Sequence, residues 1–167
     1  MTQTSSGTAR VTLPTDEQIL ITREFDAPRH LVYRAYTTPE LVSRWWSGKR
    51  GTVTSAEIDL RVGGAWRYVM VASRGFEVAF HGEFREIVPD ERIVTTEVYE
   101  VPDAPALPAA DEPLNIVTFT EVDTRTTLEI LVQTTSKELR DMIIDSGMEG
   151  GMQEAMDLLE QVAVSLA

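Results

Sequence analysis

The sequence predicts an α+β domain: a curved, seven-stranded antiparallel sheet wrapped around one long C-terminal helix, with two short helices between strands 1 and 2. Three observations carry this. Residues 53–85 contain a run that alternates on either side of Gly63-Gly64, as two strands do when joined by a tight turn whose positive φ angles glycine tolerates. Beyond that turn Trp66, Tyr68 and Met70 share one parity, so a strand there sets three bulky side chains on one face. That face needs a cover, and residues 136–166 offer one, because their apolar positions recur at helical rather than strand spacing.

Taken in order, residues 1–14 are rich in Thr, Ser and Gly and end at Pro14, which reads as a disordered lead-in. Residues 15–167 then form a single domain. Residues 19–25 are the first strand. Pro28 fits the first turn of a helix, with Asp26 as a cap, and Leu31, Val32, Ala35 and Tyr36 follow at helical spacing. Thr38-Pro39-Glu40 opens a second short helix carrying Leu41, Val42 and Trp45. The other six strands are expected at 52–59, 65–72, 76–88, 92–101, 115–122 and 126–134, separated by Gly, Pro, Asp and Ser turn chemistry. Residues 102–113 hold four prolines and no periodicity and are expected to be an exposed loop.

From Ser136 the pattern becomes helical, with Ile144, Met148, Met152, Ala155, Leu159, Val162 and Leu166 forming one stripe. Gly147, Gly150 and Gly151 interrupt it, each costing about 1 kcal/mol relative to alanine inside a helix. A kink near Gly147 is therefore expected, with a continuous helix from Met152.

Composition limits the function. The 167 residues are enough for one core without staples. There is no cysteine, which removes disulfides, thiolate metal sites and a cysteine nucleophile, and fits a reducing compartment. The polar start carries no secretory signal pattern, and no apolar run reaches the ~20 residues that span a bilayer, so a cytoplasmic location is expected. Fifteen basic residues against 27 acidic ones give a net charge of −12, which repels phosphate backbones and argues against nucleic acid as a partner.

Three runs carry a more specific resemblance. The first is Arg23-Glu24-Phe25-Asp26-Ala27-Pro28 continuing to Tyr36, with Pro39-Glu40-Leu41 and Trp45-Trp46 after it. The second is Gly63-Gly64-Ala65-Trp66-Arg67. The third runs from Gly82 to Ile87, followed by Pro89-Asp90-Glu91-Arg92-Ile93. Together they resemble the signatures of the activator of heat-shock-protein-90 ATPase homologue family, a branch of the START-like, or SRPBCC, superfamily with the helix-grip fold. The resemblance covers about 19–166. It implies a mostly apolar cavity between sheet and long helix, of the kind used for hydrophobic molecules. Such sequences commonly read Gly-Trp at the start of the last helix, where this chain has Gly151-Met152. No separate chaperone-binding domain is visible in the chain.

Site chemistry is sparse. Trp45, Trp46, Trp66, Tyr68, Phe76, Phe80 and Phe84 supply aromatic surface that suits either core packing or an apolar pocket. Met148, Met152 and Met156, with Met70 opposite, are either core filler or adaptable pocket walls. All of these except Phe76, ten residues, are the candidate ligand-binding set.

His81 and Glu83 share a strand face, but Phe76, Val78, Phe80, Gly82 and Phe84 hold the opposite parity, which looks inward. His30 is expected on the surface. No metal site, cofactor or catalytic motif is found: there is no spaced His/Glu set, nucleophile elbow, phosphate loop or dinucleotide fingerprint. Candidate polar groups for a cavity are Asp59, Arg61, Arg67, Tyr99, Glu129 and Gln133, with Arg67 and Glu129 read more simply as a surface cross-strand charge pair.

The expected function is therefore binding of a small hydrophobic or aromatic ligand. The alternatives are a cyclase- or hydrolase-like enzyme using the same cavity, which requires an inward titratable group, and a co-chaperone-like interaction protein. Self-association as a homodimer is left open.

Overall fold

The computed structural model describes residues 3–6 (backbone), 9–100 and 111–167. Among them the chain runs β1 (Gln3–Ser6), β2 (Ala9–Thr12), β3 (Gln18–Phe25), α1 (Arg29–Thr37), α2 (Pro39–Trp45), β4 (Gly51–Ile58), β5 (Ala65–Ala72), β6 (Glu77–Val88), β7 (Arg92–Thr96), β8 (Val98–Glu100), β9 (Leu114–Val122), β10 (Arg125–Gln133), α3 (Lys137–Asp145) and α4 (Met148–Ser165). Every pairing is antiparallel, in the order β1-β2-β3-β10-β9-β7-β6-β5-β4, and β8 pairs with β6. This is the helix-grip architecture.

The described residues form ten strands rather than seven. Two of the additions correct the expected lead-in, since residues 3–6 and 9–12 are strands. Residues 10–12 of β2 pair with β3, while Ala9 and Val11 are buried. A short polar sequence forms strand here because it extends an existing edge and buries alternate side chains. The third addition comes from splitting the expected strand over 92–101 at Glu97. Of the proline-rich loop expected over 102–113, residues 102–110 lie outside the described residues.

Each local element has an identifiable cause. Pro28 sits at the N-cap of α1, so Asp26 lies too far upstream to cap it and instead faces Arg125 at 3.4 Å. The exposed Arg29 N–H is met by Glu121 Oε1 of β9 at 2.8 Å, a carboxylate placed at the positive end of the helix. Ser136 caps α3 as its hydroxyl accepts from the Leu139 N–H at 3.1 Å. At Gly147 the helix breaks rather than kinks: φ is +83°, and α4 starts anew at the next residue.

Ala155, Met156, Leu159, Val162 and Ala163 of α4 join one core with Ile19, Ile21 and Phe25 of β3 and Leu128, Ile130 and Val132 of β10. Arg23, 4% exposed, fastens this packing: its guanidinium reaches Asp157 at 2.8 Å and Glu160 at 3.5 Å on α4. α4 also packs on α1 and α2. Glu154 there accepts from the Lys49 N–H at 3.1 Å, holding the loop after α2.

Candidate functional site

Between the short helices and the concave face of the sheet lies a cavity of about 60 Å³. Its roof is Tyr36 and Thr37 of α1 with Trp45 and Trp46 of α2 and its cap. Its walls are Ile58 of β4, Trp66 and Tyr68 of β5, and Phe84 of β6. The far side is Ile93 and Thr95 of β7, Glu97, and Asn115 and Val117 of β9.

The roof is set by a proline. In α1 the carbonyl of Ala35 has no helical partner, because its i+4 residue is Pro39, which lacks an N–H. The Trp45 indole supplies the donor at 2.9 Å, which fixes α2 against α1 and brings Trp45 within 5.4 Å of the Tyr36 ring.

On the sheet side the register puts Trp66 opposite Gly82. A Cβ at Gly82 would lie 1.9 Å from the Thr96 carbonyl oxygen and 2.5 Å from the Trp66 Nε1, so only glycine leaves room for the indole to donate to that carbonyl at 3.2 Å. The Thr96 hydroxyl meanwhile accepts from the Glu83 N–H at 2.9 Å. With the Thr96 carbonyl and hydroxyl committed to Trp66 and Glu83, β7 ends at Thr96 and β8 starts after Glu97. Glu97 keeps the parity of Ile93 and Thr95 and lies among the walls.

The polar end of the cavity is built from Glu97 and Asn115. The Asn115 Nδ2 donates to Glu97 Oε2 at 2.6 Å, and the Asn115 Oδ1 is buried with no partner. Burial pushes the Glu97 pKa up, against the opposing effect of the Asn115 hydrogen bond. Burial likewise raises the phenols of Tyr36 and Tyr68, which also feel the Glu97 charge. Three titratable groups therefore face one small space with aromatic sides: Trp66 lies 4.8 Å and Trp46 5.4 Å from the Tyr68 ring.

Of the ten candidates, Trp45, Trp46, Trp66, Tyr68 and Phe84 line this cavity. The other five do not. Phe80 stacks on Tyr99 at 5.0 Å and meets Trp46 edge-on at 5.5 Å. Met156 is core, Met148 and Met152 pack against the core, and Met70 lies farther along β5. The cavity is thus roofed by α1 and α2 where the sequence pointed to α4, because Tyr36, Trp45 and Trp46 project onto the sheet ahead of the long helix.

The polar candidates were misplaced as well. Asp59 and Arg61 pair with each other at 2.8 Å on the surface, and Gln133 bonds Gln18 at 2.7 Å. Arg67 pairs not with Glu129 but with Glu100, through bonds of 2.8 and 2.9 Å, since three strands separate β5 from β10. His81 joins the same Glu100 at 2.9 Å on the outer face. Glu83 also points outward, to Arg85 at 3.2 Å, and His30 is exposed. Tyr36, Glu97 and Asn115 were missed as site residues. The alternation Ile93, Thr95, Glu97 was the available signal for the acid.

No group of three His, Asp or Glu side chains suited to a metal occurs among the described residues. No helix described is long and apolar enough to cross a membrane.

The same fold recurs in solved structures. A Rhodobacter sphaeroides protein aligns with a TM-score of 0.83 at 22% identity, covering 95% of this chain and 99% of that one. A Mycobacterium smegmatis protein aligns at 0.80 and 23%, covering 96% of each chain. One from Arthrobacter aurescens aligns at 0.81 and 22%, covering 93% of this chain and 91% of that one. No curated protein matches the sequence. The model of the family described as activator of Hsp90 ATPase homolog 1-like protein matches residues 26–163, a span that takes in both roof helices, Gly82, Glu97 and Asn115, and the chain belongs to that family.

Proposed function

We propose that the protein binds a small hydrophobic or aromatic molecule in the cavity beneath α1 and α2. The observation that carries this is the wall: Trp45, Trp46, Trp66, Tyr68 and Phe84 surround a space with one polar end, the arrangement expected of a small-molecule site. Ordinary ligand pockets enclose roughly 300–1,000 Å³. At about 60 Å³ this one takes the end of a ligand, with the remainder lying outward along the aromatic surface.

A thermal-shift panel of fatty acids, sterols, flavonoids and small aromatics, with tryptophan emission read in parallel, tests this. A ligand at a hundredfold over its Kd adds about 2.7 kcal/mol, and a true occupant also changes emission from Trp45, Trp46 or Trp66. If no compound shifts the melting temperature, the reading is wrong.

Glu97 supports a second reading. An inward carboxyl whose pKa is raised by burial, facing two phenols, is the acid/base equipment that a cyclase or hydrolase needs. Under this reading a compound that binds also turns over, and Glu97→Gln abolishes turnover while leaving binding in place.

A further inference from the structure

We propose that the buried end of the ligand is an ammonium group, held between Glu97 and the unpartnered carbonyl oxygen of Asn115 and enclosed by the aromatic rings. This rests on the reading above and names the class of molecule.

The argument is one of complementarity. The Asn115 amide uses its Nδ2 on Glu97, so its Oδ1 presents a lone acceptor in a place where burial without a partner costs free energy. Glu97 adds carboxylate oxygens. This end of the cavity is therefore rich in acceptors, and an ammonium supplies up to three donors in a compact group. Around it, Trp66 lies 4.8 Å and Trp46 5.4 Å from the Tyr68 ring, a supply of aromatic surface of the kind that attracts a cation. The space of about 60 Å³ admits a few water-sized groups, enough for an aminomethyl head. A net charge of −12 draws cations toward the protein and disfavours anionic ligands.

The electrostatics fix a pH signature. Among the described residues walling the cavity, Glu97 is the one carboxyl group. The other titratable groups are Tyr36 from α1 and Tyr68 from β5, while α2, β4, β6, β7 and β9 contribute none. With no cation beside it, Glu97 is disposed to hold its proton, and burial raises its pKa in agreement. Seating an ammonium stabilises the ionised carboxylate, so binding releases a proton to solvent and strengthens as pH rises. A ligand carbonyl accepting from the protonated Glu97 shows the opposite trend.

The test uses the full chain with benzylamine and its neutral counterpart benzyl alcohol, titrated by calorimetry from pH 5 to 8 in two buffers of different ionisation enthalpy. The expected result is a preference for benzylamine of about tenfold or more, the scale of a desolvated cation–π contact with a paired charge. Proton release accompanies it. Glu97→Gln, which keeps the size and the Asn115 bond, removes that preference. Asn115→Leu weakens benzylamine more than benzyl alcohol. Equal binding of the two probes, insensitivity to Glu97→Gln, or proton uptake overturns the ammonium assignment while leaving an aromatic pocket intact. Failure of both probes and of the thermal-shift panel overturns the pocket itself.

Discussion

The side-chain amide of Gln153 on α4 bonds both backbone groups of Ala9: its Oε1 accepts from the Ala9 N–H at 3.0 Å and its Nε2 donates to the Ala9 carbonyl at 2.7 Å. A helix side chain thus imitates a neighbouring strand. Ala9 is 1% exposed and Gln153 6%, so both bonds are made away from water. The chain gains by this a tie between its N-terminal strands and the long helix that the sheet curls around. Gln153→Ala leaves two buried backbone groups without partners, at roughly 1 kcal/mol or more each. The expected loss is about 2–3 kcal/mol in denaturant unfolding, with amide exchange speeding up at residues 9–12 while β10 keeps its protection. Unchanged exchange at Ala9 would mean that the amide is dispensable.

Glu97 makes stability depend on pH. Its native pKa lies above the ~4.3 of an unfolded glutamate, so between those values the folded state holds more protons than the unfolded one. Its contribution is complete below about pH 4 and is lost as pH rises through the native pKa. Glu97→Gln removes that loss. The variant is expected to be more stable than the parent at pH 8, with the gap shrinking toward pH 4, as unfolding midpoints at each pH report. A constant gap would show that the buried charge is not its source.

How far the sequence speaks depends on whether its signal is local. Trp66 and Tyr68 were readable as neighbours on one strand face because a period of two, bounded by Gly63-Gly64, survives in any local window, whereas which face turns inward is decided by distant elements. Ser136 was readable as the start of a helix because its partner, the Leu139 N–H, lies three residues on. Glu97 had a local signal in its alternation with Ile93 and Thr95, but the strand break before it had none, since β7 ends where the Thr96 carbonyl accepts from an indole 30 residues away and no window contains both. The strand at 9–12 escaped for the same reason: its partners, β3 and Gln153, decide the outcome against weak propensity, and the strand at 3–6 then pairs with it. The methionine stripe announced a buried helix face and could not say that α1 and α2 stand over the cavity instead.

On the outer face, Glu100 should show the opposite pH behaviour to Glu97. Its carboxyl is held at about 2, chiefly by the Arg67 hydrogen bonds with His81 assisting. A depressed native pKa gives stability that is present above the unfolded value of ~4.3 and lost as pH falls toward 2. Arg67 and His81 are both substantially exposed, at 43% and 45%, so the stability involved is small, below about 1 kcal/mol. The pKa itself is the better readout. In Arg67→Met, carboxyl NMR is expected to show Glu100 moving up toward the ordinary glutamate range. A Glu100 that still titrates near 2 would transfer the effect to His81.

Two glycines separate close packing from mere permissiveness. At Gly82 a methyl group meets the Thr96 carbonyl oxygen at 1.9 Å, which is backbone and cannot swing aside. Gly82→Ala must move β6 off the end of β7 or expel the Trp66 indole. Overpacking of this kind costs about 1–3 kcal/mol, and the lost indole bond adds roughly 1 kcal/mol. At Gly151, inside α4, the nearest atom to an added Cβ is Arg50 Cδ at 3.8 Å, an ordinary contact with a flexible chain. Gly151→Ala there recovers up to about 1 kcal/mol of helix propensity. For a chain of this size that means a melting temperature higher by about 2–4 °C, against a fall of several degrees for Gly82→Ala. Tryptophan emission distinguishes the two independently, since only Gly82→Ala disturbs Trp66. A Gly151→Ala variant that melts lower than the parent would show that the turn of α4 beneath Arg50 needs glycine for a reason other than space.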